Sequence, residues 1–293
     1  MKTLFLLSAV LLSGVAFAQQ PPDTEIYVFD LSVKKNMVSI SHPINITAHP
    51  GYDNQPFFHP GKPLVYYTSA REDGRTDIMS YNYKDKRTIA VTQTPEREYS
   101  PTVTLDQQFL SCIIQRDNDA QDLGKYDMEG GDAFVIIDHL KVGYHVWVDN
   151  SHLGLFVLGN NGSPNTLHYL LLPIKRDTIL AENIGRSLHR VPGETAFSFV
   201  QKAADGPWQI KKYNAMTHQV TTIGPTLPSS EDLCWTNDGK ILMGDGKTLF
   251  FLQPGPSSAW QNVKIESGAE VLKKVSRIAV SADGKKLAVV VTP

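Results

Sequence analysis

One motif recurs along this chain at nearly constant spacing: a short apolar run, a turn rich in Pro, Gly, Asn or Asp, and a second apolar run. It is clearest at Pro56-Phe57-Phe58-His59-Pro60-Gly61-Lys62 followed by Leu64 to Ser69. It returns at Leu233 to Lys240 followed by Ile241-Leu242-Met243, and at Ile278 to Lys285 followed by Leu287 to Val291. Aligning every copy on one position gives Phe58, Val103, Trp147, Arg190, Trp235 and Val280, at intervals of 45, 44, 43, 45 and 45 residues. That period matches one four-stranded propeller blade. Arg190 is charged where its counterparts are apolar, so the pattern there admits a shift of one residue.

The interiors of the intervals fit the same unit. After Ser69 come a turn at Glu72-Asp73-Gly74, a strand over Asp77 to Tyr83, a turn at Lys84-Asp85-Lys86 and a strand over Arg87 to Thr92. The next interval offers Phe109 to Gln115, Gln121 to Met128, a hairpin at Gly130-Gly131, and Ala133 to Asp138. Asp-Gly and Gly-Gly between alternating runs are hairpin signals. No stretch carries a sustained helical period.

The ends complement each other. Beyond Val280 there is room for only the first two strands of a blade, whereas Thr24 to Asp30 resembles the outer strand at Thr76-Asp77-Ile78 with no inner pair before it. Thr47 precedes Pro56 by nine residues, as Thr92 precedes Pro101. Residues 24–47 are therefore expected to complete the last blade, with Ser41 to Thr47 as a small insertion. The expectation is an all-β, six-bladed propeller over residues 19–293, its blades starting near 55, 100, 144, 187, 232 and 277. Closure of this kind removes exposed sheet edges. Cys112 and Cys234 then fall in opposite blades, too far apart for the ~7 Å that a disulfide spans, and are expected as free thiols.

Residues 1–18 read as an export signal. Met1-Lys2 is basic, Leu4 to Val15 is apolar but too short to span a bilayer, and Ala16-Phe17-Ala18 is a cleavage site. Cleavage after Ala18, with no lipid-bearing Cys behind it, implies a periplasmic or secreted protein, and a Gram-negative bacterium is the expected source. The 28 basic and 30 acidic residues nearly balance, which gives no electrostatic footprint for nucleic acid. A monomer without membrane insertion is expected.

The run Pro56, Phe58, Pro60-Gly61-Lys62, Leu64, Tyr66, then Asp73-Gly74 and Asp77-Ile78 resembles the repeat of the TolB-type (WD-repeat-like) propeller family. The likeness is good again at Ile278 to Val291, recognisable at Leu233 to Met243, and carried by spacing alone at Tyr144 to Phe156 and Leu188 to Phe199. The resemblance implies a propeller that binds other envelope proteins, here without the extra N-terminal domain of TolB or the hydrolase domain of propeller peptidases.

The chain contains no G-x-S-x-G, H-E-x-x-H, C-x-x-C or Gly-rich phosphate loop. Asp117, Asp119 and Asp122 form an acidic cluster that lacks the Gly turn and bidentate Glu of a calcium loop; solvated carboxylates are expected there, with calcium as the alternative. The residues leading into the innermost strands are the better candidates, because those strands line the central channel. They are Gln55, Glu98-Tyr99-Ser100, Tyr144-His145, Ser187, His189, Glu231-Asp232 and Ser276-Arg277, a mixed polar set of the kind that marks a ligand pocket. Asp232 and Arg277 come from neighbouring blades and are placed to pair. Phe58, Trp147 and Trp235 read as blade-packing core.

The expected function is therefore a binding module for a protein, peptide or small glycan at the channel mouth, with no cofactor. The alternative is a channel-sited hydrolase or lyase using His145, His189, Asp232 and Arg277; a separate alternative is a divalent metal held by the two histidines with Glu231 or Asp232. The enzyme reading requires the four side chains to meet around one cavity.

Overall fold

In the computed structural model, which describes residues 22–256 and 258–293, the strands form six sheets, antiparallel but for one short edge strand. Each is one blade of a β-propeller. The export signal assigned to residues 1–18 lies outside the described residues.

Blade 1 runs from the inside outward as Asp53–Phe58, Leu64–Ala70, Thr76–Asn82 and Arg87–Ala90. Blade 2 is Arg97–Val103, Phe109–Gln115, Gln121–Asp127 and Gly130–Ile137; its outer hairpin turns at Met128-Glu129, with Gly130 opening the last strand rather than sitting in the turn. Blade 3 is Val142–Trp147, His152–Val157, Thr166–Leu171 and Arg176–Glu182. Blade 4 is His189–Arg190, Ala196–Gln201, Gln209–Asn214 and Gln219–Pro225. Blade 5 is Leu233–Trp235, Ile241–Gly244, Leu249–Leu252 and Gln261–Asn262.

Blade 6 joins the two ends of the chain. Arg277–Val280 and Lys286–Val291 supply its inner half, and Glu25–Lys34 and Met37–Asn45 its outer half. The seam pairs Glu25 with Val291 and Asp30 with Lys286. Lys264–Ile265 adds a short parallel fifth strand on the outer edge, opposite Ser39 and Ile40.

The anchor alignment corresponds to one repeated backbone bond. The residue after each anchor donates its N–H across the first turn: His59 to Leu64, Thr104 to Phe109, Val148 to His152, Val191 to Ala196, Thr236 to Lys240 and Ser281 to Lys286, all at 2.8–3.0 Å. Arg190 therefore keeps register without the shift its charge allowed; its side chain is exposed while Val191 behind it is buried. In three copies the turn is further fixed by a hydroxyl two residues before an aspartate: Thr104 to Asp106, Thr236 to Asp238 and Ser281 to Asp283, each 2.6 Å.

The segment from Ser41 to Thr47 is not an insertion. Most of it is the outer strand of blade 6, and the surplus is absorbed by a bulge around His42 and Pro43, between the pairs Asp30–Ser41 and Val28–Ile44. Thr47 and Thr92 do the same job: their hydroxyls accept from the N–H of Ile26 (2.9 Å) and Ile78 (2.8 Å).

The core is six separate clusters, one per blade–blade interface. Period-two alternation along the second strands sends successive side chains to opposite neighbours. Thus Cys112 and Ile114 pack toward Tyr66 and Ile78 of blade 1, whereas Ile113 packs toward Leu153 and Leu155 of blade 3. Both faces of every blade are buried in this way, so a ring closes where a single blade could not stand alone. Cys112 and Cys234 are free and buried in different clusters.

Candidate functional site

The channel holds a cavity of about 250 Å³ to which all six blades contribute. Three residues before each anchor stand Gln55, Ser100, Tyr144, Ser187, Asp232 and Arg277, and all six line it. One residue deeper stand Pro56, Pro101, His145, Leu188, Leu233 and Ile278, which also line it. A polar ring thus lies directly above a ring that is apolar except for His145.

Local backbone irregularity aims the first ring inward. In blades 1 and 2 the inner strand carries an extra residue, between Asn54 and Phe57 and between Tyr99 and Thr102. Gln55 (φ 57°) and Ser100 (φ 54°) occupy these bulges in the left-handed region, which is uncommon for residues with a Cβ. Gln55 Oε1 accepts from the Thr68 hydroxyl and from the Ser100 N–H, each at 2.8 Å, and so ties the two bulges together.

The charged side of the cavity is built from blades 4, 5 and 6. Arg186 donates to Asp232 through Nη2 (2.7 Å) and Nε (3.2 Å). The expected Asp232–Arg277 pair is present but looser, at 3.6 Å. Arg277 instead reaches across the channel and donates to the Tyr144 hydroxyl of blade 3 at 2.8 Å. Burial opposes the Arg277 charge, yet Tyr144 and Asp232 hold its pKa above the ordinary guanidinium value. Burial and Arg277 likewise oppose the Arg186 charge, but its bond to Asp232 raises the pKa overall. Tyr52 lies close enough to feel both guanidiniums, while burial pushes its hydroxyl up.

Both histidines line the cavity, but each is engaged elsewhere. His145 Nε2 lies 2.7 Å from Ser111 Oγ, which also accepts from Trp147 Nε1 and donates to the Thr102 carbonyl. With the Ser111 proton directed to Thr102, His145 is the donor through Nε2, and its buried Nδ1 has no partner. Burial drives its pKa down to about 3, so the ring is neutral. His189 Nε2 lies 3.1 Å from Ser187 Oγ, and burial takes its pKa to about 4 with Asp232 pulling the other way.

Seven of the nine sequence-derived candidates behave as a group around the channel or its rim, and two do not. Gln55, Tyr144, His145, His189, Asp232 and Arg277 line the cavity. Glu231 stands just outside, bound to Lys202 at 2.8 Å and 3.6 Å from Arg186. Glu98 is wholly buried between blades 1 and 2, accepting from Thr94 and from Tyr126 (3.0 Å). Strand alternation turns it away from the channel. Tyr99 packs on the cluster between blades 2 and 3. Arg186 was not singled out from the sequence. It lies four residues before its anchor, in a stretch that is loop rather than strand, so alternation does not govern it.

The acidic cluster in blade 2 is an ion-pair network. Asp117 accepts from Arg97 (2.9 Å) and Arg75 (3.0 Å), and Asp122 accepts from Arg116 (2.7 Å). Guanidiniums thus engage Asp117 and Asp122, two of the three carboxylates of the cluster, and not Asp119. Among the described residues no group of three or more His, Cys, Asp or Glu side chains is placed to hold a metal ion.

These features define a six-bladed propeller with a cation-rich central cavity. No protein-family model matches the sequence, and no curated protein matches it. Solved structures share the fold at low identity. A putative TolB from Agrobacterium tumefaciens is 12% identical over 92% of this chain and 98% of its own, with a TM-score of 0.67. TolB from Acinetobacter baumannii is 10% identical with a TM-score of 0.56; the match takes in 91% of this chain and 63% of that protein. A gluconolactonase from Xanthomonas campestris is 8% identical over 94% of this chain and 99% of its own, with a TM-score of 0.64. The fold is that of the TolB-type propellers. It is shared with an enzyme, so the ring does not assign an activity.

Proposed function

We propose that the protein is an exported binding module whose central cavity receives an anionic group carried by a protein, peptide or glycan, acting as a monomer in the periplasm or outside the cell. The observation that carries this is the state of Arg277. Its guanidinium has five N–H donors. Among the described residues it makes one hydrogen bond, to Tyr144, and Asp232 lies at 3.6 Å. Arg186 and Arg277 both face Asp232, and Glu231, held by Lys202 at 2.8 Å, reaches Arg186 but not Arg277. Arg186, Arg190 and Arg277 line a cavity whose lining holds one carboxylate, Asp232, which leaves a place for a second anion, and a carboxylate matches the free Arg277 fork bidentately.

The competing enzyme reading needs His145, His189, Asp232 and Arg277 to act together. They share one cavity wall, but the imidazoles bond to Ser111 and Ser187, and their low pKa values make them weak bases at neutral pH. The binding reading is therefore preferred.

Calorimetric titration tests it with an oligouronate, an acidic peptide, and their esterified or amidated neutral forms. Binding of the charged forms only, weakened at least ten-fold in Arg277→Gln, is expected. Equal binding of charged and neutral forms would sink the proposal. N-terminal sequencing of the mature protein reads the export step, expected to begin at Gln19.

A further inference from the structure

We propose that the anionic group is the C-terminal carboxylate of a polypeptide that ends in an apolar residue. The inference rests on the anion-binding reading above and narrows it to one ligand.

Three features of the channel bear on it. The first is the vertical order of its chemistry. Arg277 belongs to the polar ring, and Leu188, Leu233, Ile278, Pro56 and Pro101 belong to the ring one residue deeper. Consecutive residues of an extended strand are separated by about 3.3 Å along the strand. The two rings adjoin, so a ligand that touches both carries a negative group close to an apolar one. At a chain terminus both hang from one α-carbon. An internal Asp or Glu has its charge at the end of the side chain, and the apolar ring would have to be filled by a different residue.

The second is size. A dry apolar cavity of about 150 Å³ suffices for benzene. The cavity here, about 250 Å³, extends along blades 2 and 3, where Val103, Leu105, Val146 and Trp147 continue the apolar wall. One branched or aromatic side chain fits that space, and a folded domain does not.

The third is a second cavity of about 320 Å³ on the other side of the charged cluster. It shares Arg186, Asp232, Arg277 and Ile278 with the first; Ser229, Ser230 and Ser276 bring hydroxyls to its wall, beside the Glu231 and Asp245 carboxylates and the apolar Pro228 and Val275. The residues preceding a C-terminus bring peptide N–H and C=O groups that need partners once removed from water. The three serine hydroxyls and the Glu231 and Asp245 carboxylates of this chamber are available to them. A simple acyl carboxylate would leave this chamber unused.

The test uses the full chain and four synthetic probes. They are an acetylated tetrapeptide ending in Leu with a free carboxylate, the same peptide amidated, the same peptide ending in Gly, and octanoate. Trp147 lines the cavity, so its fluorescence reports occupancy beside calorimetry. The Leu-ending acid is expected to bind at least ten-fold tighter than the amide and than the Gly-ending acid, and tighter than octanoate. Leu188→Asp should abolish that preference, with near-ultraviolet circular dichroism checking that the ring is intact. Because the probes themselves are varied, the comparison stands even if that variant misfolds. Amide and acid binding equally would overturn the inference. So would octanoate binding as tightly as the peptide, which would point to an acyl chain. If an oligouronate binds and no peptide does, the anion-binding reading survives and this inference fails; if no anion binds, both fall.

Discussion

The Arg277 guanidinium and the Tyr144 hydroxyl lie 133 residues apart in sequence, on opposite blades, and meet at 2.8 Å across the channel. The guanidinium also sits 5.0 Å from the centre of the Tyr144 ring. One side chain thus braces the ring across its open middle, where neighbouring blades cannot touch.

Tyr144→Phe removes the acceptor and keeps the aromatic face. A hydrogen bond to a charged group contributes about 1.5–3 kcal/mol, and the retained cation–π contact offsets part of the loss. Urea unfolding is expected to show a decrease of about 1–2 kcal/mol with an unchanged slope.

Arg186→Met leaves Asp232 with only the looser Arg277 contact at 3.6 Å. The Arg186–Asp232 pair is partly exposed, at 35% and 15%, so the loss should be about 2 kcal/mol rather than the full cost of breaking a buried pair. Asp232→Asn alone should also destabilise, by leaving Arg186 and Arg277 facing each other. The double variant is expected to recover part of both losses. A double-mutant cycle with no coupling would mean that the contact is energetically idle.

His145 sets an acid-side weakness. Its folded pKa, about 3, lies below the ordinary 6.5, so the neutral form is favoured in the native state. The stability it contributes is complete above pH 6.5 and is lost as pH falls toward 3. Between pH 7 and 5 this one group should cost about 2 kcal/mol. His145→Gln, which stays neutral, should flatten that limb of the stability–pH curve measured by urea midpoints.

Asp53 works in the opposite direction. Burial raises its carboxyl to about 6, so its contribution is complete below the ordinary 3.8 and is lost as pH rises through 6. Asp53→Asn should remove that dependence, and the variant should gain on the parent between pH 5 and 7. An unchanged difference across that range would refute the assignment.

Cys112 and Cys234 are buried, and burial pushes both thiols well above their ordinary range. Neither should react with iodoacetamide at pH 8 in the native protein, and both should be alkylated in urea, as read by mass spectrometry. Any mass for an internal disulfide would contradict the blade assignment.

The ring was readable from sequence because each repeat ends in the same turn, whose residues must satisfy the same backbone bond; Thr104, Thr236 and Ser281 carry it in their side chains. The site was less readable. Glu98 stands only two residues from Ser100, yet alternation buries it between blades, and a bulge at Ser100 sends that residue to the channel. Bulges leave little trace in composition. Arg186 was hidden for the converse reason: the chain before His189 has left the strand, and a repeat count cannot say where a loop side chain points. The partner choice within the charged cluster, Arg186 before Arg277, depends on distances that no spacing encodes.

The seam in blade 6, where Glu25 meets Val291, has a consequence in time. Synthesis delivers the outer half of that blade first and the inner half last. The hairpin of Glu25–Lys34 and Met37–Asn45 must therefore wait, its inner edge unpaired, while five other blades emerge. Contacts of such long range close late and slowly, and a waiting edge invites the wrong strand. The interval between the first strand and the last is when this protein is most vulnerable to aggregation, and when a chaperone that covers a sheet edge would matter most.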